Sequence, residues 1–170
     1  MIRNVVKYGD PILEQKADVI TEFDTPELHQ LIEDMFETMY SARGVGLAAP
    51  QVAVGKRLTV IDVSAGEEHG EKLVLINPII IAQEGKQVGE EGCLSIPGFR
   101  EDVKRAKKVR ARAQNAKGEF FEVEGEDTLA RCLLHETDHL NGILFLAYLS
   151  PLKRDLIRRK IKKLQKAGEW

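Results

Sequence analysis

Apolar residues recur at helical spacing in three segments of the chain. The first covers about 25–40 and opens with a Thr-Pro pair, in which threonine can cap the helix and proline suits its first turn. The second covers about 127–140 and is followed by an Asn-Gly pair, a strong signal for the end of a helix. The third covers about 151–167. We therefore predict three helices.

Four other segments have the composition or the alternation of β-strands: 57–63, 72–81, 107–113 and 119–124. An Asn-Pro pair at 77–78 is expected to bend or end the second strand. The sequence Asn-Ala-Lys-Gly at 115–118 predicts a hairpin turn between the last two. Runs of strands with few intervening helices favour an α+β fold over a doubly wound sheet.

Length and composition fit one globular domain covering residues 1–170. The chain is 43% hydrophobic and 31% charged, and its net charge of −2 gives no general attraction to nucleic acid or membrane. No stretch approaches the ~20 apolar residues of a membrane span, and the first residues do not look like a signal peptide. The two cysteines are too few for a disulfide framework, so we expect a reduced, cytoplasmic setting.

The segment GVGLAAPQ at 44–51 has the G-x-G-x-x-A spacing of a dinucleotide-binding turn. That turn requires a strand before it and a helix opening from it. Here a predicted helix precedes the segment, and Pro50 would interrupt a helix that began in it. We therefore reject a dinucleotide site, which leaves either a plain glycine turn or a different function.

The segment HETDH at 135–139 is an H-E-x-x-H motif. His135 and His139 are four residues apart, so they lie on one helical face and can bind one metal ion. Glu136 lies beside that face and can exchange a proton with a nearby water molecule as general base or acid. A surface helix with polar residues by chance is the alternative. It is disfavoured because this helix is strongly apolar, and burying these groups without a role would be costly.

A third metal ligand is not found where two other classes of metalloenzyme have it. Thermolysin-like enzymes use a downstream glutamate, but the only acids after His139 are Asp155 and Glu169. The metzincin motif would require a histidine where this chain has Phe145, which cannot bind a metal. The two histidines outside the motif, His29 and His69, are expected to be exposed to solvent.

The cysteines remain as ligand candidates. Cys132 shares the predicted helix, and we expect it to be a small buried hydrophobic residue. Cys93 lies in EEGCLSIPG, where the neighbouring glycine allows a close approach to another element. One cysteine, two histidines and one water would give four-coordinate geometry with an open position, as in catalytic sites. Such ligands suit zinc, iron(II) or cobalt, and the sequence does not select among them.

Three motifs, GVGLAAPQ, EGCLS and HETDH, stand in this order along the chain. Together they resemble peptide deformylase, which removes the formyl group from the initiator methionine of new bacterial and organellar proteins and releases formate. The similarity continues through DMFETMY, DHLNGILF and YLSPLKR. The resemblance implies antiparallel β-sheets packed around a central helix that carries the H-E-x-x-H motif, followed by a C-terminal helix. It also implies that the substrates are N-formylmethionyl nascent peptides.

The resemblance implies a role for each motif residue. It identifies Cys93, His135 and His139 as the metal ligands. It makes Glu136 the catalytic acid and base, while the side-chain amide of Gln51 and the backbone N–H of Leu94 bind the reacting oxygen. One divalent ion is expected, with iron(II) as the native metal and zinc, nickel or cobalt as possible replacements.

The substrate-binding residues follow partly from the resemblance and partly from the need for an apolar methionine pocket. Gly46 corresponds to a loop position that pairs with substrate backbone, and Glu91 and Arg100 match positions near the substrate. The candidates for the methionine pocket are Val45, Leu47, Leu129, Cys132 and Leu133, with ordinary core packing as the alternative. Ala147 departs from the family, in which many members have aspartate at this position.

The third predicted helix is strongly basic, with eight Lys or Arg residues in 153–166. It also has apolar residues on one face: Leu152, Leu156, Ile157, Ile161 and Leu164. Such a helix can pack on the domain with its basic face in water, or it can bind RNA or an anionic membrane. The family resemblance favours docking on the ribosome. We expect a monomer with no membrane partner.

Three rival functions remain at this point. A metallopeptidase would share the H-E-x-x-H helix but needs a different third ligand. A ribosome-associated domain with a structural zinc would not need Glu136, and such closed sites normally have four protein ligands. A deformylase-like protein without activity is disfavoured because every motif residue is present.

Overall fold

The computed structural model describes residues 1–170 and has an α+β architecture, as predicted. The helices are α1 (Pro26–Ser41), α2 (Thr128–Leu140) and α3 (Pro151–Lys166). The strands are β1 (Gly46–Ala48), β2 (Leu58–Ile61), β3 (Leu73–Glu84), β4 (Gln87–Cys93), β5 (Ile96–Arg105), β6 (Lys108–Gln114) and β7 (Phe120–Glu126). None of the helices has both the length and the apolar character needed to cross a membrane.

Two antiparallel sheets surround the helix that carries the H-E-x-x-H motif. Five strands form one sheet in the order β1-β2-β3-β6-β7, and β4 pairs only with β5. Helix α2 packs on every strand of the larger sheet and also contacts β5. This central helix therefore joins the two sheets, as the family resemblance implied.

Helix α1 begins and packs as its sequence predicts. The Thr25 side chain accepts a hydrogen bond from the backbone N–H of Leu28 at 3.1 Å, and Pro26 occupies the first turn. Met35 and Met39 are fully buried in a core that also includes residues of β1, β2 and β3. Residues 44–51 follow α1 and pack on this core through Leu47 and Ala49.

The Asn-Pro pair bends β3 without ending it. Asn77 has a positive φ of 52°, and the register between β3 and β6 shifts between Ile76 and Ile79. The Asn77 side chain accepts a hydrogen bond from Ile20 N–H and donates one to Ile20 O, both at 2.9 Å. These bonds hold the bend, and the strand then continues to Glu84.

The hairpin β4–β5 is the largest element that the hydrophobic pattern does not predict. Glycines and charged residues occupy most of β4, so alternation of apolar and polar residues is absent. The strands are fixed instead by their mutual ladder from Gln87 and Arg105 to Gly92 and Arg100. Cys93 stands at the end of this hairpin, next to α2.

Helix α3 packs on the domain through part of its apolar face. Ile157 and Ile161 are buried against residues of β5 and of the segment after α2. Leu152 and Leu156, however, are 71% and 46% exposed. The apolar face therefore packs on the core in its later turns, and its N-terminal end is exposed.

Candidate active site

A cavity of about 600 Å³ lies where the segment 43–46, the end of the β4–β5 hairpin and helix α2 meet. Each of the three sequence motifs contributes to its lining. The residues from these motifs are Gly44, Val45, Gly46, Gln51, Glu91, Gly92, Cys93, Leu94, His135 and Glu136. The fold therefore brings together segments that are more than forty residues apart in sequence.

Cys93, His135 and His139 form a cluster with the geometry of a metal site. One potential ligand atom from each residue lies within 4.8 Å of the others. The Sγ atom of Cys93 is 3.3 Å from Nε2 of His139. Burial lowers the pKa of His139 well below its ordinary value. The pKa of His135 is raised instead, because bonds to Cys93 and Glu91 outweigh its burial.

The surroundings of this cluster fit a bound cation. Oε1 of Glu136 is buried and has no hydrogen-bond partner among the protein groups. Buried polar atoms of this kind are normally satisfied, and a carboxylate oxygen can be satisfied by a cation or by water beside it. A thiolate and two imidazoles form the donor set of catalytic metal sites with an open position. The residues present therefore fit one divalent metal ion.

Glu136 lies against the backbone of the GVGLAAPQ segment. Burial raises the pKa of its carboxyl group to about 7, which suits a group that both accepts and donates a proton near neutrality. A Cβ atom added at Gly46 would lie 2.5 Å from Oε2 of Glu136. Gly46 therefore allows a close approach of backbone and carboxylate that any side chain would prevent.

Gln51 is buried and directs its amide nitrogen toward the cluster. Its Oε1 accepts a hydrogen bond from Ala48 N–H at 3.0 Å. Its Nε2 donates to Oγ of Ser95 at 3.1 Å and lies 3.5 Å from Sγ of Cys93. Gln51 follows β1 in a short 3₁₀ turn, Ala49–Val52, which is why the GVGLAAPQ segment ends beside Cys93.

Glu91 contacts the cluster of Cys93, His135 and His139 through the ring of His135. Only 4% exposed, it accepts hydrogen bonds from Nδ1 of His135 at 2.7 Å, from Arg105 at 2.8 and 2.9 Å, and from Arg131 at 2.7 Å. Burial alone would raise its pKa, but the bonds from Arg105 and His135 outweigh burial and hold the pKa well below its usual range. With Nδ1 bonded to this carboxylate, His135 has Nε2 free for a metal.

Sequence reasoning missed Arg105, Arg131 and Ser95 as members of the site. In the sequence, Arg105 and Arg131 are ordinary charged residues of a strand and a helix. They are largely buried because they pair with Glu91, which is distant in the chain. Ser95 belongs to the EGCLS motif but carries no distinctive chemistry by itself. Asp138 is also joined to this group, since it accepts a hydrogen bond from Arg105 at 2.8 Å.

The structure separates the candidates for substrate contacts into two groups. Val45, Gly46, Arg100 and Cys132 line the cavity with Glu91. Leu47 and Leu133 are buried in the core and do not line it, while Leu129 packs against Gly125 of β7. The side chain of Leu47 lies among α1 and β2 residues, so its contact with substrate stays a prediction.

Three further residues occupy the environments that the sequence suggested. Burial raises the pKa of the Cys132 thiol to about 12, so it is a neutral, mostly buried side chain. His29 is half-exposed and lies 2.6 Å from Asp24, and His69 is exposed in the loop after β2. Neither histidine belongs to the cluster of Cys93, His135 and His139.

Known proteins of one family match nearly the whole chain. The family model described as Polypeptide deformylase matches residues 2–155. A peptide deformylase of Acidobacterium capsulatum is 59% identical over 170 residues, which cover 100% of this chain and 99% of that protein. The crystal structure of a peptide deformylase from Legionella pneumophila matches with a TM-score of 0.91 and 47% identity, covering 99% of this chain and 98% of the other.

A more distant bacterial enzyme has the same fold. The crystal structure of peptide deformylase from Thermus thermophilus matches with a TM-score of 0.87 and 39% identity, covering 98% of this chain and 99% of the other. Similarity in sequence and in fold therefore extends over nearly the whole chain. The protein belongs to the polypeptide deformylase family, whose members are metal-dependent hydrolases that remove the N-formyl group from newly made polypeptides.

Proposed function

We propose that Cys93, His135 and His139 hold one divalent metal ion, with iron(II) as the native metal and zinc, nickel or cobalt as possible replacements. The observation that carries this proposal is the cluster of one sulfur and two nitrogen donors within 4.8 Å of one another, beside the unpaired carboxylate oxygen of Glu136. When bound, such an ion polarises a carbonyl group and lowers the pKa of a water molecule.

Glu136 moves the proton in the proposed reaction. Its carboxylate accepts a proton from the water molecule as the water oxygen attacks the formyl carbon. The same carboxyl group then donates that proton to the amide nitrogen as the carbon–nitrogen bond breaks. The products are formate and a peptide with a free amino group. The buried, unpaired Oε1 and the pKa of about 7 support this double role.

Gln51 and Leu94 stabilise the negative charge that develops on the formyl oxygen. The Nε2 atom of Gln51 is already directed toward the cluster, 3.5 Å from Sγ of Cys93, and Leu94 borders the same cavity. Their N–H groups would donate hydrogen bonds to the oxygen. One donor of this kind contributes roughly 3–4 kcal/mol to stabilisation of the transition state.

The peptide binds along the glycine-containing wall of the cavity. The backbone before β1 can pair with an extended peptide as an added strand would, and Gly46 brings that peptide close to Glu136. Val45 and Cys132 offer apolar contacts to the methionine side chain, and Arg100 lies at the cavity rim with 62% of its side chain exposed. A formyl carbon carries only hydrogen, so a site this close to Gly46 excludes an acetyl group sterically.

The assigned roles are tested with formyl-Met-Ala-Ser and protein prepared without oxygen and loaded with iron(II) or nickel. We expect release of a primary amine and formate, no turnover of acetyl-Met-Ala-Ser, and no cleavage of internal bonds in an unformylated peptide. The variant Glu136→Gln should bind the metal but lose at least ~10²-fold in kcat. Cleavage of internal bonds would favour a metallopeptidase, and a fully active Glu136→Gln variant would overturn the role of Glu136.

We further propose that the protein is a cytoplasmic monomer that docks on the ribosome through α3. The support is the exposed basic face of this helix, on which Arg159, Lys160 and Lys163 have no salt-bridge partner. Phosphate-rich RNA attracts such a face in a salt-dependent manner.

Co-sedimentation with ribosomes tests this docking. A variant with glutamate at Arg159, Lys160 and Lys163 should lose binding at low salt. A matched variant with glutamate at the exposed Lys56, Lys86 and Lys117, which lie outside α3, should retain it. Equal binding of the two variants would contradict docking through α3.

A further inference from the structure

The hydroxyl group of Ser95 has no part in the reaction described so far, although it lies beside the side-chain amide of Gln51. Ser95 is fully buried and follows Cys93 by two residues in the EGCLS motif. Its Oγ accepts a hydrogen bond from Nε2 of Gln51 at 3.1 Å. A buried serine that bonds a proposed oxyanion donor can decide how that donor is oriented.

The contacts of Gln51 fix which way its amide group faces. Oε1 accepts from Ala48 N–H at 3.0 Å, so the oxygen must occupy that end of the amide. The NH₂ group is then at the other end, where one hydrogen meets Oγ of Ser95 and the other points toward Sγ of Cys93 at 3.5 Å. Without the acceptor at Ser95, the amide would lose one of its two strong anchors.

The main chains of Gln51 and Ser95 are held together by one segment near the start of the chain. The N–H of Val6 donates to Gln51 O, and the N–H of Tyr8 donates to Ser95 O, both at 2.8 Å. N–H groups two residues apart point the same way in an extended segment, so this segment clamps both residues from one side. The separation of the two side chains is therefore set by backbone bonds, and the hydroxyl group completes the arrangement.

We propose that Ser95 is a positioning residue. By accepting one N–H of the Gln51 amide, it directs the other N–H, the one on the side of Cys93, at the reacting formyl oxygen. The inference rests on the proposed role of Gln51 as an oxyanion donor. Ser95 itself does not line the cavity, and its hydroxyl oxygen accepts the hydrogen bond from Gln51. Preorganised donors are worth more than mobile ones, because no reorganisation is needed when charge develops on the oxygen.

Kinetics of Ser95→Ala test this proposal. We expect kcat for formyl-Met-Ala-Ser to fall by about 10- to 100-fold, with KM changed less than threefold and one metal ion still bound per chain. The matched control is Ser64→Ala, which removes a hydroxyl group bonded to Asp62 at 2.6 Å, away from the cavity. Wild-type kcat in Ser95→Ala would overturn the proposal.

A double-mutant cycle separates positioning of Gln51 from a general structural role. If Ser95 acts through Gln51, adding Ser95→Ala to a Gln51→Ala variant should change kcat less than twofold. If Ser95 supports the site in another way, the two losses should multiply, and the proposal fails. Should Ser95→Ala fold poorly, Ser95→Cys keeps the shape of the side chain with a somewhat larger atom that accepts hydrogen bonds weakly, and it should show the same loss of kcat.

Nuclear magnetic resonance gives a readout that does not depend on turnover. In zinc-loaded, ¹⁵N-labelled protein, the NH₂ signals of Gln51 are those missing in Gln51→Ala. They should shift or broaden in Ser95→Ala and stay unchanged in Ser64→Ala. Unchanged signals in Ser95→Ala would overturn the proposal. If the signals respond but the wild-type protein shows no deformylation, the pairing stands and the proposed catalytic roles fail instead.

Discussion

At the scale of single residues, Gly46 shows that a missing side chain can be as important as a present one. We predict that Gly46→Ala lowers kcat/KM for formyl-Met-Ala-Ser by at least ~10²-fold, because the new Cβ would lie 2.5 Å from Oε2 of Glu136 and displace the carboxylate. The φ of Gly46 is not in the left-handed region, so the backbone accepts alanine and the loss of activity would come from the displaced carboxylate rather than from backbone strain.

The control for this substitution is Gly55→Ala. Gly55 also lacks a positive φ, and nothing lies within 4 Å of a Cβ added there. Its activity should equal that of the wild type. Full activity of Gly46→Ala would show that Glu136 does not require this close approach.

Glu91 accepts hydrogen bonds from Arg105, Arg131 and His135. Replacing it should weaken metal binding more than substrate binding. We predict that Glu91→Gln weakens metal affinity by about 10- to 100-fold, because His135 loses the carboxylate that orients it. Arg105 would also remain buried with one carboxylate fewer, so the free energy of unfolding should fall by about 3–5 kcal/mol. Competition with a chelator and urea denaturation measure the two effects.

Glu90→Gln is the matched control, since Glu90 is the preceding residue of the same strand. Its side chain is 59% exposed and pairs with the exposed Arg100, so both metal affinity and stability should stay close to wild type. Similar losses in the two variants would mean that the charge of the hairpin, rather than the contact with His135, affects the metal.

At the scale of elements, the sequence predicted the helices and strands whose structure is determined by residues close to one another in the chain. The helices followed from their period and end signals, and the β6–β7 hairpin followed from its Asn-Ala-Lys-Gly turn, in which Asn115 Oδ1 accepts from the N–H groups of Lys117 and Glu119. The β4–β5 hairpin was not predicted because its strands lack alternation. Motifs placed Cys93 and His135 in one site, but the ion pairs around Glu91 join residues whose proximity only the fold determines.

Helix α3 gives a prediction at this scale, because its two buried isoleucines attach it to the rest of the protein. We predict that Ile161→Ala lowers the free energy of unfolding by about 2–4 kcal/mol, since Ile161 is 1% exposed. Leu156→Ala, at a position 46% exposed on the same helix, should change stability by less than about 1 kcal/mol. Equal effects in urea denaturation would contradict the packing described for α3.

At the scale of the whole molecule, the proposed ligands come from two units that share few backbone bonds. Cys93 ends a two-stranded sheet, whereas His135 and His139 belong to a helix packed on the five-stranded sheet. The side chains of Arg131, His135 and Asp138 on α2 bond Glu91 and Arg105 of the hairpin and hold these units together. Ile96 and Val103 of the hairpin also pack against the segment that follows α2. A metal ion bound to all three ligands would therefore link the hairpin to the central helix.

The separate ladder of β4 and β5 has a consequence for how the protein opens locally. Amide hydrogens in this hairpin should exchange with solvent deuterium through an opening of the hairpin alone, at a lower free energy than those in β2 and β3. Chelating the metal should speed exchange in β4 and β5 by about tenfold or more while leaving β2 and β3 unchanged. The enzyme would then lose its metal without global unfolding, and each loss would pass through a brief detachment of the hairpin that carries Cys93.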